Sequence, residues 1–181
     1  DVIQKLIESG SPVDPKQTDD SSTPLFLASQ EGHVDAASLF IDRGADINAA
    51  RNTDGVTPLM ISSQNEHEKV VKMLLERGAS MEIRSTDDGS TAVHCAAISR
   101  NCEVLRTLFN CGADVNRKRF DGATALALAA IDGNSEMIKM LALEMKGIFH
   151  DEWKGEIRDA LGTAGFDELV RIIKKRKTIV I

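Results

Sequence analysis

Threonine-led quartets recur along this chain at a fixed interval, and that recurrence limits the fold more than any other feature. "TPLF" begins at Thr23, "TPLM" at Thr57, "TAVH" at Thr91 and "TALA" at Thr124, spaced 34, 34 and 33 residues apart. A second marker keeps step, with "GSPVD" at Gly10, "GADIN" at Gly44, "GASME" at Gly78 and "GADVN" at Gly112. Two independent markers in one register exclude coincidence. A period of this length belongs to stacked supersecondary units, none of which can bury its own apolar face alone.

Between the markers the pattern reads as two helices. The first is short and rich in small residues: "PLFLASQ", "PLMISSQ", "AVHCAAI" and "ALALAAI". A threonine precedes each as an N-cap, and Pro24 and Pro58 fall at the first helical position, where a missing N–H costs nothing. The second helix carries apolar residues at i, i+1, i+4 and i+5, which form one stripe. That stripe is Val70, Val71, Leu74 and Leu75, then Val104, Leu105, Leu108 and Phe109, then Met137, Ile138, Leu141 and Ala142. The opening segment repeats it at Val2, Ile3, Leu6 and Ile7. A glycine able to take a left-handed cap ends the helix, and a turn-rich stretch such as "NAARNTDGV" or "NRKRFDGA" follows. With 42% hydrophobic residues but only 4% aromatic and no tyrosine, the core must be aliphatic, which suits close helix packing.

"DGVTPLMISSQNEHEKVVKMLLERGAS" and "DGATALALAAIDGNSEMIKMLALEM" resemble ankyrin repeats, with that family's Thr-Pro-Leu-His and Gly-Ala-Asp-Val-Asn landmarks. The resemblance spans about residues 1–146. It implies an all-α ankyrin-repeat solenoid of stacked helix–turn–helix units with β-hairpin loops. The implied divisions are a partial N-terminal repeat at 1–18, repeats at 19–52, 53–86, 87–119 and 120–146, and an atypical loop with a C-terminal capping repeat at 147–181. All belong to one contiguous domain. In the cap, "GEIRDALGTAGFDELVRIIKKRK" predicts a helix–turn–helix with Gly165 in the turn and Leu169, Val170, Ile172 and Ile173 as its inner stripe. The first residues resemble only the second helix of a repeat and the chain opens at Asp1, which together predict a piece of a larger protein.

Two departures stand out. The glycine that ends the first helix is kept at Gly32 and Gly133 but replaced by Glu66 and Arg100. A left-handed backbone there costs roughly 1 kcal/mol, so these repeats are expected to change the turn or to lose local stability. After the fourth repeat "MKGIFHDEWKG" replaces the glycine landmark.

All three cysteines, Cys95, Cys102 and Cys111, lie near His94, which raises metal and thiol chemistry. Adjacent helical residues point about 100° apart, so His94 and Cys95 do not face each other. Cys95 aligns with Leu27, Ile61 and Leu128, a position expected to point inward, where a thiol has a raised pKa and little reactivity. The cysteine spacings match no compact zinc motif, and Cys102 and Cys111 fall at opposite ends of one helix. His94 stands at the landmark histidine, for which the resemblance implies hydrogen bonding within the array; His33 and His67 take a second structural position. No catalytic motif is present, and Asp19–Asp20 and Asp87–Asp88 fall in turns where acids are ordinary. The expectation is therefore a chain with no catalytic residues, no metal and no cofactor.

The net charge of −6 argues against a general nucleic-acid binder, and no long apolar run or signal peptide is visible. An odd cysteine count favours a reducing compartment, cytoplasmic or nuclear. "KKRK" at 174–177 reads as a localisation patch or as a solvated helix end, the latter favoured by the helix dipole. The resemblance implies a protein–protein interaction module, a scaffold or adaptor, binding a protein or peptide on a concave face of first helices and hairpin tips. On the helices that face maps to Gln30, Glu31, Gln64, Asn65, Ile98, Ser99, Ile131 and Asp132. On the tips it maps to Arg51, Asn52, Asp54, Val56, Ser85, Asp87, Ser90, Lys118, Phe120 and Ala123. Ile98, Ile131 and Phe120, with Arg117, Lys118 and Arg119 beside them, offer an apolar cluster with a basic rim, unless Phe120 folds back on its own hairpin and the isoleucines pack inside. The resemblance also puts Asn48 and Asn116 forward for hydroxylation. Two further readings are a small-ligand or nucleotide sensor in the 147–155 loop, using Phe149, His150, Trp153 and Lys154, and a redox or metal switch through the cysteines.

Overall fold

A computed structural model describes residues 22–144 and 154–178. Eight of its helices form four pairs: α1 Pro24–Gln30 with α2 Val34–Asp42, α3 Pro58–Gln64 with α4 Glu68–Glu76, α5 Ala92–Ile98 with α6 Cys102–Asn110, and α7 Ala125–Ile131 with α8 Ser135–Lys139. The last of these continues as a π-helical turn, Met140–Glu144, and α9 Lys154–Thr178 follows. First helices pack on first helices in the order α1, α3, α5, α7, and α9 closes the row against α7. Second helices stack behind them, α2 on α4 and α4 on α6. The repeat period thus becomes a linear array in which each unit is buried by its neighbours.

The threonines start the first helices as the sequence predicts. The Thr23, Thr57 and Thr124 hydroxyls accept from the backbone N–H of Phe26, Met60 and Ala127 at 3.1, 3.3 and 3.3 Å. The stripe residues Val70, Val71, Leu74, Val104, Leu105, Leu108, Met137, Ile138 and Leu141 are wholly buried. Each such side chain contributes about 1.5–3 kcal/mol relative to exposure, which drives the stacking. No β-strand forms among the described residues, so the expected hairpins are turns. Each turn is closed by a backbone bond: Arg51 N–H to Val56 C=O at 2.9 Å, Ser85 to Ser90 at 2.8 Å and Arg119 to Ala123 at 2.9 Å. Successive tips are joined in turn, Thr86 N–H donating to Asp54 C=O at 2.8 Å and Phe120 N–H to Asp88 C=O at 2.9 Å.

Glu66 and Arg100 keep the left-handed turn at φ 65° and 62°, so the expected change of turn does not occur. The reason lies one repeat further on. A Cβ at Gly32 would meet the His67 ring at 2.6 Å, whereas the residues equivalent to His67 in the next repeats are Asn101 and Asn134. The shorter asparagine leaves room for a side chain, and its carboxamide oxygen caps the second helix: Asn101 accepts from Val104 N–H at 2.8 Å and Asn134 from Met137 N–H at 3.0 Å. In the C-terminal helix the break falls at Gly162 (φ 68°, ψ 162°), not at Gly165. Ile157, Phe166 and Leu169 are buried there and Val170 is half-buried; the side chains of Ile172 and Ile173 lie outside the described residues. The partial repeat at 1–18 also lies outside them.

Candidate protein-binding face

The first helices and the tips share one face, and the sequence-derived residues divide on it by exposure. Glu31, Asn52, Gln64, Asn65, Asp87, Ile98, Lys118, Phe120, Ile131 and Asp132 are exposed, whereas Gln30, Arg51, Asp54 and Ser99 are half-buried. Ser85 is buried: its hydroxyl donates to the Asp88 carboxylate at 2.6 Å and accepts from Ser90 N–H at 2.9 Å, which commits it to its own turn. Asn65 donates to the Gln30 carbonyl at 2.9 Å, and Ser99 to the Ser63 carbonyl at 3.2 Å, so both also tie adjacent repeats together.

Among the described residues the large apolar side chains that remain exposed are Leu27 at 44%, Ile98 at 48%, Ile131 at 59% and Phe120 at 64%. Ile98 and Ile131 end neighbouring first helices, at the place held by Gln30 and Gln64 in the two earlier repeats. Phe120 does not fold on its own hairpin. Its ring lies over the preceding tip, where a Cβ on Gly89 would approach it to 2.8 Å, and the Arg84 guanidinium sits 4.8 Å from its centroid. The basic rim is largely neutralised: Arg117 pairs with Glu82 at 3.3 Å, and Arg119 with Asp88 at 3.2 Å and Asp121 at 3.0 Å.

A cleft of about 190 Å³ opens between the tips at 51–56 and 85–90, lined by Asp54, Val56, Met60, Gln64, Ser85, Asp87, Asp88, Ser90, Cys95 and Ile98. Cys95 is buried in the core, as the sequence predicts, and the edge of its side chain also forms part of this lining. At the aligned places Leu27 is exposed and Ile61 and Leu128 are half-buried, so the inward reading holds for the small thiol and not for the longer side chains. Burial pushes the thiol up to about 12, with the Asp88 carboxylate adding to the shift. Asp54 is held below the usual carboxylate range, chiefly by hydrogen bonding to Arg51 and then by the Val56 N–H. At Asp88 burial pushes upward, but bonds from Ser85 and Ser90 and the Arg119 charge outweigh it and hold the group down.

His94 lies behind this face and is wholly buried. Its Nδ1 accepts from the Thr91 N–H at 3.1 Å and lies 3.0 Å from the Thr91 hydroxyl. Nε2 therefore carries the proton and donates to the Arg117 carbonyl at 2.9 Å, bridging to the next tip. Asn48 makes a similar bridge, its Oδ1 accepting from Ser80 N–H at 2.9 Å, while Asn116 receives a local turn in which its own N–H donates to Asp114 at 2.9 Å. Among the described residues no three potential metal ligands converge, and Cys95, Cys102 and Cys111 are unbridged. No helix among them is long and apolar enough to cross a membrane. Phe149, His150 and Trp153 lie outside the described residues, and Lys154 begins α9.

A family model described as "Ankyrin repeats (3 copies)" matches residues 1–85, 51–119 and 81–152. The chain belongs to the ankyrin-repeat family. Ankyrin repeats are in general protein–protein interaction modules and are typically non-catalytic. No curated protein matches the chain. Sequence reasoning located Ile98, Ile131 and Phe120 by register, but missed the cleft. The sole signal for it was the smallness of Cys95 beside Leu27, Ile61 and Leu128.

Proposed function

We propose that this ankyrin-repeat chain acts as a non-catalytic scaffold or adaptor module, with its concave face of tips and first helices binding a partner protein or peptide. The exposed pair Ile98 and Ile131 carries the reading. Two β-branched apolar side chains stand in solvent at equivalent places of adjacent helices, although the fold accepts glutamine at that place twice. Such residues gain more from a partner than from water, and apolar anchors near the middle of a face dominate binding energy. Phe120 extends the patch to the tips at 85–90 and 119–123, where its ring is held by Arg84. The face needs no cofactor. Three unbridged cysteines support a reducing compartment, cytoplasmic or nuclear.

Affinity capture from native lysate with Ile98→Asp plus Ile131→Asp beside the unaltered chain tests the proposal. Both side chains are exposed, so the double variant should keep its helical circular dichroism and lose most captured protein. A folded double variant that captures the same proteins in the same amounts excludes this face.

A further inference from the structure

We propose that the cleft between the tips at 51–56 and 85–90 receives a basic side chain, arginine or lysine, from the partner segment bound on this face. The inference rests on the interaction reading above and adds the chemistry of the partner. It starts from position 95. The aligned leucine at 27 stands 44% exposed, so a leucine at 95 would occupy the cleft, and cysteine leaves it open. The thiol, pushed up to about 12, stays protonated and places no charge at the floor. Val56, Met60 and Ile98 supply apolar wall. Two of the carboxylates nearby are already engaged: Asp54 with Arg51, and Asp88 with Arg119 at 3.2 Å and Ser85 at 2.6 Å. Asp87 differs, being exposed and making no ion pair among the described residues.

A cleft with Val56, Met60 and Ile98 along part of its wall and one carboxylate that makes no ion pair matches a side chain with an aliphatic stem and a cationic head. A purely apolar occupant would desolvate Asp87 without pairing it, and an acidic one would meet three like charges. The rest of the partner segment then crosses Ile98 toward Ile131, so the cleft and the apolar pair form one footprint.

The probe is the peptide acetyl-Leu-Arg-Leu-amide, titrated into the isotope-labelled full chain while amide resonances are followed. Its counterpart replaces arginine with citrulline, which keeps the shape and removes the charge. The arginine peptide should move the Val56, Asp87 and Ile98 resonances and bind about tenfold more tightly than the citrulline peptide. Asp87→Asn should abolish that preference. Cys95→Leu should weaken both peptides by filling the cleft, and it should fold, because the first and fourth repeats carry leucine at the same place. Equal binding of the two peptides, no binding of either, or an arginine preference that survives Cys95→Leu each overturns the proposal. The wider reading has its own readout: if Ile98→Asp with Ile131→Asp abolishes protein capture while Cys95→Leu and Asp87→Asn leave it intact, only the cleft assignment falls.

Discussion

His94 shows how one side chain couples two repeats. Its ring accepts from the Thr91 N–H as the reciprocal half of a capping box on one side and donates to the Arg117 carbonyl on the other, with no exposure to water. Burial lowers its pKa below the ordinary 6.5, with Arg119 opposing the cation as well, while the bond to Arg117 and the Asp88 charge favour it less strongly. The folded chain therefore binds a proton at this ring less readily than the unfolded chain. Its contribution is complete above the unfolded pKa of about 6.5 and is lost as pH falls through it toward the lower native value. The denaturation midpoint should fall more steeply between about pH 7 and about pH 5 in the unaltered chain than in His94→Asn. The variant itself should lose about 1–3 kcal/mol near neutrality, because buried partners are left unpaired. Parallel pH profiles for the two proteins would remove His94 from this role. The family landmark made this residue legible in sequence. Ser85 was not, because its hydroxyl is taken up by a local turn with Asp88 and Ser90 that the repeat register does not mark.

Between helices, the turn at Gly32, Glu66, Arg100 and Gly133 keeps one backbone shape through two kinds of residue. Glu66 and Arg100 hold positive φ without glycine, which costs about 1 kcal/mol each; the Asn101 cap of the helix after Arg100 offsets that cost there, whereas His67 makes no such cap after Glu66. Glu66→Gly and Arg100→Gly should each raise stability by up to about 1 kcal/mol in urea denaturation, less whatever the Asn101–Glu66 and Arg100–Asp132 contacts contribute at the exposed surface. Gly32→Ala should act in the opposite direction, since the new Cβ would press on the His67 ring, which is held in place by its Nε2–H donating to the Gln30 carbonyl at 2.8 Å. A destabilising Glu66→Gly together with a neutral Gly32→Ala would reverse this account. The sequence period located all four of these turns. It could not choose between Gly162 and Gly165 in α9, because "ALGTAG" places two glycines within one helical turn and the capping unit has no second copy to align with.

At the scale of the molecule, a linear array loses stability from its ends, because an end unit has a neighbour on one side only. The last described pair is covered by α9, whose Ile157, Phe166 and Leu169 are 1%, 5% and 3% exposed and whose neighbours are α7, α8 and the π-helical turn. The turn itself marks where the ordinary second helix stops, so α9 replaces the burial that a further repeat would give. Phe166→Ala removes the largest of these side chains and should cost about 3 kcal/mol. The loss should also be local. Hydrogen exchange should quicken at the amides of Ala127–Ile131 and of Ile138–Leu141 first, while α3 and α4 keep their protection at mild denaturant. The apolar anchor Ile131 stands on α7, so the same variant should weaken capture through Ile131 more than binding in the cleft beside Cys95, which is built from the two preceding repeats. Uniformly faster exchange along every helix would show instead a single cooperative unit, and the separation of cap from cleft would be lost.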